Sequence, residues 1–501
     1  MLQPIVYKMR KFYTLCLSLC LISAVAYGRQ DPSVTYASTI TEEDMKAKLT
    51  VLASDDFAGR ETGTEGQKKA AQFLEDFYKN LGLIGPVDGG YRQEFKMYQS
   101  DWSDVYVKAG RKKLANGEDF LFLGNANLSK ELKLPIVYVG DASEEVLASM
   151  DLTGKAVVTT TNNRKTQATI METARALFVA SENEDQFNQR LPRLARARMK
   201  SRLRFSELPE NDEESMSFYM TLSKAAQILG SSTEKLIAAK DNPGTIKAGN
   251  VRFSAKRKIT SIETENMMGF LEGTDKKDEV LVISSHYDHI GTNSDGQINN
   301  GADDDGSGTT GVMEIAEAFA QAAREGHRPR RSILFLNVTG EEKGLLGSAY
   351  YSDNPVFPLE NTVNDLNIDM IGRVDPDHED ERDYVYVVGS AKLSSHLKVI
   401  SEYANITYTN LKFDYKFDDP ADRTRIYYRS DHYNFAKHGI PIIFYFNGTH
   451  ADYHRPTDTV DKIEWDVMAK RTKLVFHTAW ILANREQRTP VDTKDDMSYN
   501  R

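Results

Sequence analysis

After Ile259 the chain alternates short apolar runs with helical patterns, and that alternation limits its possible folds more than any other feature. The apolar runs fall at residues 280–284, 333–338, 366–371, 384–388 and 440–446. They are continuous and rich in Val, Ile, Leu, Phe and Tyr, as buried strands are. Helical spacing of apolar residues separates several of them, over 308–323, 392–403, 431–438 and 465–485. The pattern predicts an α/β fold with a mixed, mostly parallel sheet covered by helices on both faces. In such sheets ligands collect at the carboxyl ends of the strands, so the polar residues just past each run are the first place to look for chemistry.

At 501 residues the chain exceeds one ordinary domain, and two or more units are expected. Residues 41–83 read as two amphipathic helices joined by the polar, glycine-punctuated stretch 55–66, which reads as a connecting loop. Between about 101 and 256 short β-rich runs such as 134–139 and 155–160 alternate with polar connectors, marking a smaller β-rich insert. The main unit is then discontinuous, over 36–100 and 257–488, with a tail at 489–501. Within the insert, 182–214 is dense in charge, with Arg190, Arg193, Arg196 and Arg198 set among leucines, and reads as a solvated helical face.

The first 28 residues stand apart. Lys8, Arg10 and Lys11 precede an apolar run over 12–26 that ends in small residues, which is the layout of a cleaved export signal. The run falls short of the roughly 20 apolar residues needed to span a bilayer. The expectation is export to the periplasm or the medium, without stable membrane insertion. Both cysteines, Cys16 and Cys20, leave with the signal, which excludes a thiol nucleophile and a cysteine metal cluster from the mature chain. Loss of three basic residues takes the net charge from −10 to −13, unsuited to nucleic acid or anionic membranes.

Chemistry-bearing residues sit where the strand pattern directs attention. His286 and Asp288 follow the run at 280–284; at a spacing of two, their side chains project to the same side of an extended chain, so the carboxylate can orient the imidazole. His289 has no such partner and reads as structural. Asp303, Asp304 and Asp305 crowd a glycine-rich turn before a helix, which is unfavourable unless a cation or the helix amino end offsets them. The ligand order of an EF-hand is absent there. Glu341 and Glu342 follow the run at 333–338; adjacent side chains point apart, so one can bind a metal while the other serves as a base. Asp369 lies inside an apolar run, where an unpaired carboxylate would cost several kcal/mol unless a metal or an arginine, Arg373 being nearest in sequence, pairs with it. His454 and His450 compete as a second imidazole in the polar loop 449–459.

In this order the motifs Ser285-His286-Tyr287-Asp288, Gly301-Ala302-Asp303-Asp304-Asp305-Gly306, Gly340-Glu341-Glu342-Lys343-Gly344, Asn367-Ile368-Asp369-Met370 and His454 with Thr457-Asp458-Thr459 resemble the co-catalytic zinc exopeptidases of metallopeptidase clan MH, family 28. The resemblance spans about 41–482. It implies a zinc-exopeptidase fold holding two zinc ions, with Asp304 bridging, His286 and Asp369 on one ion, and Glu342 and His454 on the other. It further implies Glu341 as general base, Asp288 as orienter of His286, and Tyr453 at a position where some relatives stabilise the oxyanion. The insert, through Leu152-Thr153-Gly154-Lys155-Ala156, resembles a protease-associated domain. The implied activity is an aminopeptidase acting on peptides. Its rivals are a carboxypeptidase, for which Arg423, Arg425 and Arg429 offer basic groups, a glutaminyl cyclase, and a catalytically silent binding protein.

Overall fold

The computed structural model describes residues 31–199, 202–207, 216–247 and 249–495. The export signal read over 1–28 lies outside the described residues. No described helix is long and apolar enough to cross a membrane. The chain divides into two compact units, one built from residues up to Phe95 and from Thr264 onward, the other from Lys96–Glu263.

In the first unit the strands are β1 (Asn250–Leu271, by its final residues), β2 (Lys276–His286), β3 (Arg331–Val338), β4 (Thr362–Ile368), β5 (Tyr384–Val388), β6 (Lys412–Asp414) and β7 (Ile442–Phe446). The helices are α1 (Pro32–Ala37), α2 (Glu42–Leu52), α3 (Glu65–Asn80), α4 (Gly308–Arg324), α5 (Leu346–Asp353), α6 (Ser395–Ala404), α7 (His432–Ala436) and α8 (Trp465–Asn484). The sheet order is β6-β5-β7-β4-β2-β3-β1. β3, β2, β4 and β7 run parallel to one another, while β1 and β5 join them antiparallel. The expected mixed, mostly parallel sheet is therefore present.

Alternate residues of the central strands enter two different cores, which is why the runs read as continuously apolar. Leu281, Ile283, Ile333 and Phe335 pack with α2, α3, α4 and α8. Val280, Val282, Leu334 and Leu336 pack on the other face with Tyr351 of α5 and Phe435 of α7. The run at 366–371 is strand only to Ile368; Met370 turns to a left-handed φ of 56°, so Asp369 stands just past the strand end rather than within it.

The stretch 55–66 is more than a connecting loop. Arg60 is buried and donates to the carbonyls of Leu52, Tyr287, Asn300 and Gly301, tying the segment ahead of α3 to two loops of the sheet edge. Sequence spacing gives no hint of this, because the four acceptors are backbone atoms.

The second unit holds parallel strands Leu132–Tyr138, Ala156–Thr159, Ala176–Ser181 and Ser217–Thr221, with Phe120–Phe122 added antiparallel. Its core centres on Phe120, Phe178, Phe218 and Phe253, the rings of Phe178 and Phe218 stacked at 4.5 Å. It also carries helices Glu144–Ser149, Arg164–Met171, Glu184–Met199, Leu222–Leu229 and Thr233–Ala238, so it is less β-rich than its sequence suggests. Most are too short for a 3.6-residue period to stand out. Glu184–Met199 buries Leu191 and Ala195 and turns Arg190, Arg193 and Arg196 outward, as a solvated face does.

Candidate metal centre

β2, β3, β4 and β7 point the same way, so their carboxyl ends share one edge of the sheet. His286 ends β2, Glu341 and Glu342 follow β3, Asp369 follows β4 and the loop bearing His454 follows β7. Asp304 enters between them from the turn that leads into α4.

The structure sorts the three adjacent aspartates, which spacing could not. Asp303 accepts from Ser307 Oγ at 2.9 Å and Gly372 N at 2.7 Å, and faces His450 Nε2 at 3.1 Å. Asp305 accepts from His286 N, Gly308 N and Met370 N at 3.2, 2.9 and 3.0 Å, so it caps α4 and joins three segments. Both outer carboxylates are committed to structure. The middle one is not: Asp304 Oδ2 is buried without a hydrogen-bond partner. Asp458 holds the turn in place by accepting from the amides of Asp303 and Asp304.

Around Asp304 two sets of donors converge. His286 Nε2 lies 3.5 Å from Asp304 Oδ1, 3.6 Å from Asp369 Oδ1 and 3.9 Å from Glu341 Oε2. On the other side His454 Nε2 lies 3.1 Å from Asp304 Oδ2 and 3.0 Å from Glu342 Oε2. His450 is occupied by Asp303, which separates it from His454. His289, read as structural, belongs here too: its Nδ1 stands 2.9 Å from Glu342 Oε1. Neither ring nitrogen of His289 makes a well-directed hydrogen bond, despite full burial.

The residue expected to orient His286 does so by a different atom. Asp288 meets His286 Nδ1 through its backbone carbonyl at 3.1 Å, its carboxylate standing 3.7 Å away. That carboxylate instead accepts from Thr62 Oγ1 at 2.8 Å and from Glu341 N at 3.2 Å, fixing the turn that carries Glu341. Thr62, like Arg60, escaped the sequence reading because nothing about a threonine in a polar stretch marks its partner.

These residues fit divalent cations. Ligands at about 2.0–2.2 Å around a tetrahedral ion lie roughly 3.4 Å apart, close to the donor separations here. His286, Asp304 and Asp369 form one group whose ligand atoms all lie within 4.8 Å of each other, and His289, Asp304 and Glu342 form another. Buried atoms on Asp304, Glu342 and His289 that lack a well-directed hydrogen bond point the same way, since such groups are costly unless something satisfies them.

The electrostatics agree. Burial opposes charge on His286, yet the carboxylates of Asp369 and Glu341 hold its imidazole well above the ordinary range. His454 is likewise penalised by burial and is held up at about 10 by Asp304 and Glu342. Burial pushes the Glu341 carboxyl well up, and the charges of Glu342 and Asp369 add to this against His286. Glu342, against its own burial, is pulled well below the carboxylate range by His289 and His454. Such a site favours added positive charge, and it shifts its two adjacent glutamates in opposite directions, Glu342 towards the charged form and Glu341 towards the protonated one.

A pocket adjoins the cluster. Asp304, Glu341 and Asp369 line it together with Ile426, Phe444 and Phe446, and Arg429 and Tyr453 also face it. The Glu341 carboxylate has no hydrogen bond to any described residue, the nearest cation being His286. Of the three arginines noted in the sequence, only Arg429 lines this pocket.

Fold and candidate site together define an α/β protein whose imidazole and carboxylate groups converge at the carboxyl edge of its sheet in an arrangement that fits a metal ion. Residues 266–479 match the family model for peptidase family M28, the family that the five motifs resemble. A probable leucine aminopeptidase of Arthroderma otae is 29% identical over 213 residues, covering 42% of this chain and 55% of that protein. A probable zinc metalloprotease of Pyricularia oryzae is 27% identical over 280 residues, covering 47% of this chain and 53% of that protein. The chain thus matches just over half the length of these relatives. An aminopeptidase from Aneurinibacillus sp. strain AM-1 shares the fold, with a TM-score of 0.52 and 17% identity over 92% of this chain and 98% of that one.

Proposed function

We propose that the protein is an exported zinc aminopeptidase that removes residues from the amino ends of peptides. The observation that carries this reading is the sorting of the aspartate triplet: Asp303 and Asp305 are spent on structure, and Asp304, buried and accepting no well-directed hydrogen bond at Oδ2, faces two imidazole–carboxylate sets. In this reading Asp304 would be shared by two zinc ions, one held also by His286 and Asp369 and the other by Glu342 and His454. His454 is preferred to His289 because its ring touches both Asp304 and Glu342, and because it matches the family motif. Zinc held there would supply acidification of water and polarisation of a peptide carbonyl.

The rest falls to the chain. Glu341 is the base that takes a proton from water and passes it to the leaving amine, a task for which burial has already raised its proton affinity. Asp288 holds the Glu341 amide and so aims that carboxylate. Tyr453, stacked on His454 at 3.9 Å, turns its hydroxyl to the pocket as the donor for the developing oxyanion. The apolar wall of Ile426, Phe444 and Phe446 suits an apolar first side chain. Export rests on the charged, apolar and small residues of 1–28, and the second unit, over about 101–256, is read as a protease-associated insert.

The test is a panel of reporter peptides offered to the zinc-loaded protein. Cleavage that requires a free amino end supports an aminopeptidase. Cleavage of amino-blocked peptides from a free carboxyl end would overturn it in favour of a carboxypeptidase, and cyclisation of amino-terminal glutamine in favour of a cyclase. Zinc analysis of two variants checks the ligand choice: His454→Ala is expected to lose one equivalent and His289→Ala to keep both.

A further inference from the structure

We infer that Arg429 is a positioning residue that sets the hydrogen-bond polarity of the Tyr453 hydroxyl; the inference rests on the peptidase reading above. Arg429 Nη2 lies 3.2 Å from Tyr453 Oη, and both residues line the pocket beside Asp304 and Glu341. A guanidinium has five N–H groups and no acceptor, so in this pair the arginine donates and the phenol oxygen accepts. The hydroxyl has a single proton, and no described residue accepts it. That proton is therefore left to a group entering the pocket.

Two restraints fix where it is delivered. The ring is held by stacking on His454, with planes 19° apart, and the oxygen is held by Arg429. What remains is rotation about the C–O bond, and the guanidinium restricts it by claiming one side of the oxygen. Accepting from a cation also strengthens the hydroxyl as a donor, since linked hydrogen bonds polarise one another.

Arg429 has no carboxylate partner among the described residues, which makes a rival use concrete: it could grip an acid on the substrate, either an acidic first side chain or a terminal carboxylate. The two uses separate in kinetics. A residue acting through Tyr453 alters kcat for every substrate, whereas one gripping an acid alters KM for acidic substrates alone.

The experiment compares wild type with Tyr453→Phe, Arg429→Met, Arg429→Lys and the Arg429→Met/Tyr453→Phe double variant. Aminoacyl reporters with apolar and acidic first residues and dipeptides with free and amidated carboxyl ends serve as substrates, and zinc content and far-ultraviolet circular dichroism are checked throughout. Tyr453→Phe is expected to lower kcat by roughly 100-fold, and Arg429→Met by roughly 10- to 100-fold, both with little change in KM. The double variant is expected to be no worse than Tyr453→Phe alone, and Arg429→Lys to recover part of the loss. Additive losses in the double variant would overturn the assignment. So would a KM effect confined to acidic first residues or to free carboxyl ends, each naming the group that is gripped. An active wild type with either result removes only the role of Arg429, whereas a wild type inactive on every peptide removes both this inference and the peptidase reading.

Discussion

The two units are built on the same plan of parallel strands and covering helices, yet they treat charge in opposite ways. The unit over Lys96–Glu263 buries Ser100, Asn127, Thr159, Thr160, Gln167, Thr221 and Ser254, and not one described Asp, Glu, Lys, Arg or His. The other buries His286, Asp288, His289, Asp303, Asp304, Asp305 and Asp369 along one sheet edge. A charge removed from water costs several kcal/mol unless it is paired, so a fold does not accumulate such groups for stability. The α/β architecture supplies an edge where loops meet. Only the density of buried ionisable groups makes that edge a site.

The comparison can be broken most severely at Asp304. Asp304→Ala is expected to lose bound zinc and all measurable peptidase turnover, whereas Glu341→Gln keeps zinc and loses roughly 10²- to 10⁴-fold in kcat; metal analysis beside kinetics checks both. Full activity in Glu341→Gln would remove the base assignment.

Arg60 tests whether the buried charges off the metal centre serve to hold its loops. Arg60→Met withdraws the donor from four carbonyls, two of them at Asn300 and Gly301 beside the aspartate turn. A loss of about 3–5 kcal/mol is expected, read as a lower thermal midpoint, together with weaker zinc retention.

His477 probes a buried ionisable group remote from the metal centre. It is buried on α8, stacked on Tyr408 at 3.8 Å, and its Nδ1 has no partner. Burial pushes its pKa down to about 4. The folded state therefore binds this proton less readily than the unfolded chain, whose imidazole titrates near 6.5. Its contribution is fully present above pH 6.5 and is lost as pH falls towards 4, by up to roughly 3 kcal/mol. His477→Phe, which keeps the stacking, should flatten stability against pH over that window; an unchanged slope in denaturant titrations would remove the assignment.

The smallest effect on the site is expected from the unit in which no described charged residue is buried. Gly140 has φ +53°, and a Cβ there would lie 2.2 Å from the Lys240 carbonyl oxygen. Gly140→Ala should cost about 1–3 kcal/mol of stability while leaving zinc content unchanged. Lost zinc would show that the contrast between the units is not a division of labour.

Much of this was legible in the amino-acid order. The apolar runs located β2, β3, β5 and β7 to within a few residues, because strands buried on both faces leave an unbroken apolar signal. His286, Glu341, Glu342 and Asp369 could be singled out because polar residues at the ends of such runs are conspicuous, and their family pattern linked them to His454. Arg60 and Thr62 were not legible, since their partners are backbone atoms and a carboxylate more than 200 residues away in sequence. Nor was the place of His289, whose neighbour Glu342 lies beyond β3 and α4.

By itself, then, the sequence determined the alternation of strand and helix and the kinds of groups that would stand at the strand ends, because periodicity and residue type are local properties. The family pattern already singled out Asp304, but tertiary structure alone decided which groups occupy Asp303 and Asp305, which atom of Asp288 meets His286, and which arginine faces the pocket. Those choices depend on where hydrogen-bond donors from distant segments arrive, and a donor's arrival is a property of the packed sheet edge, not of any stretch of chain.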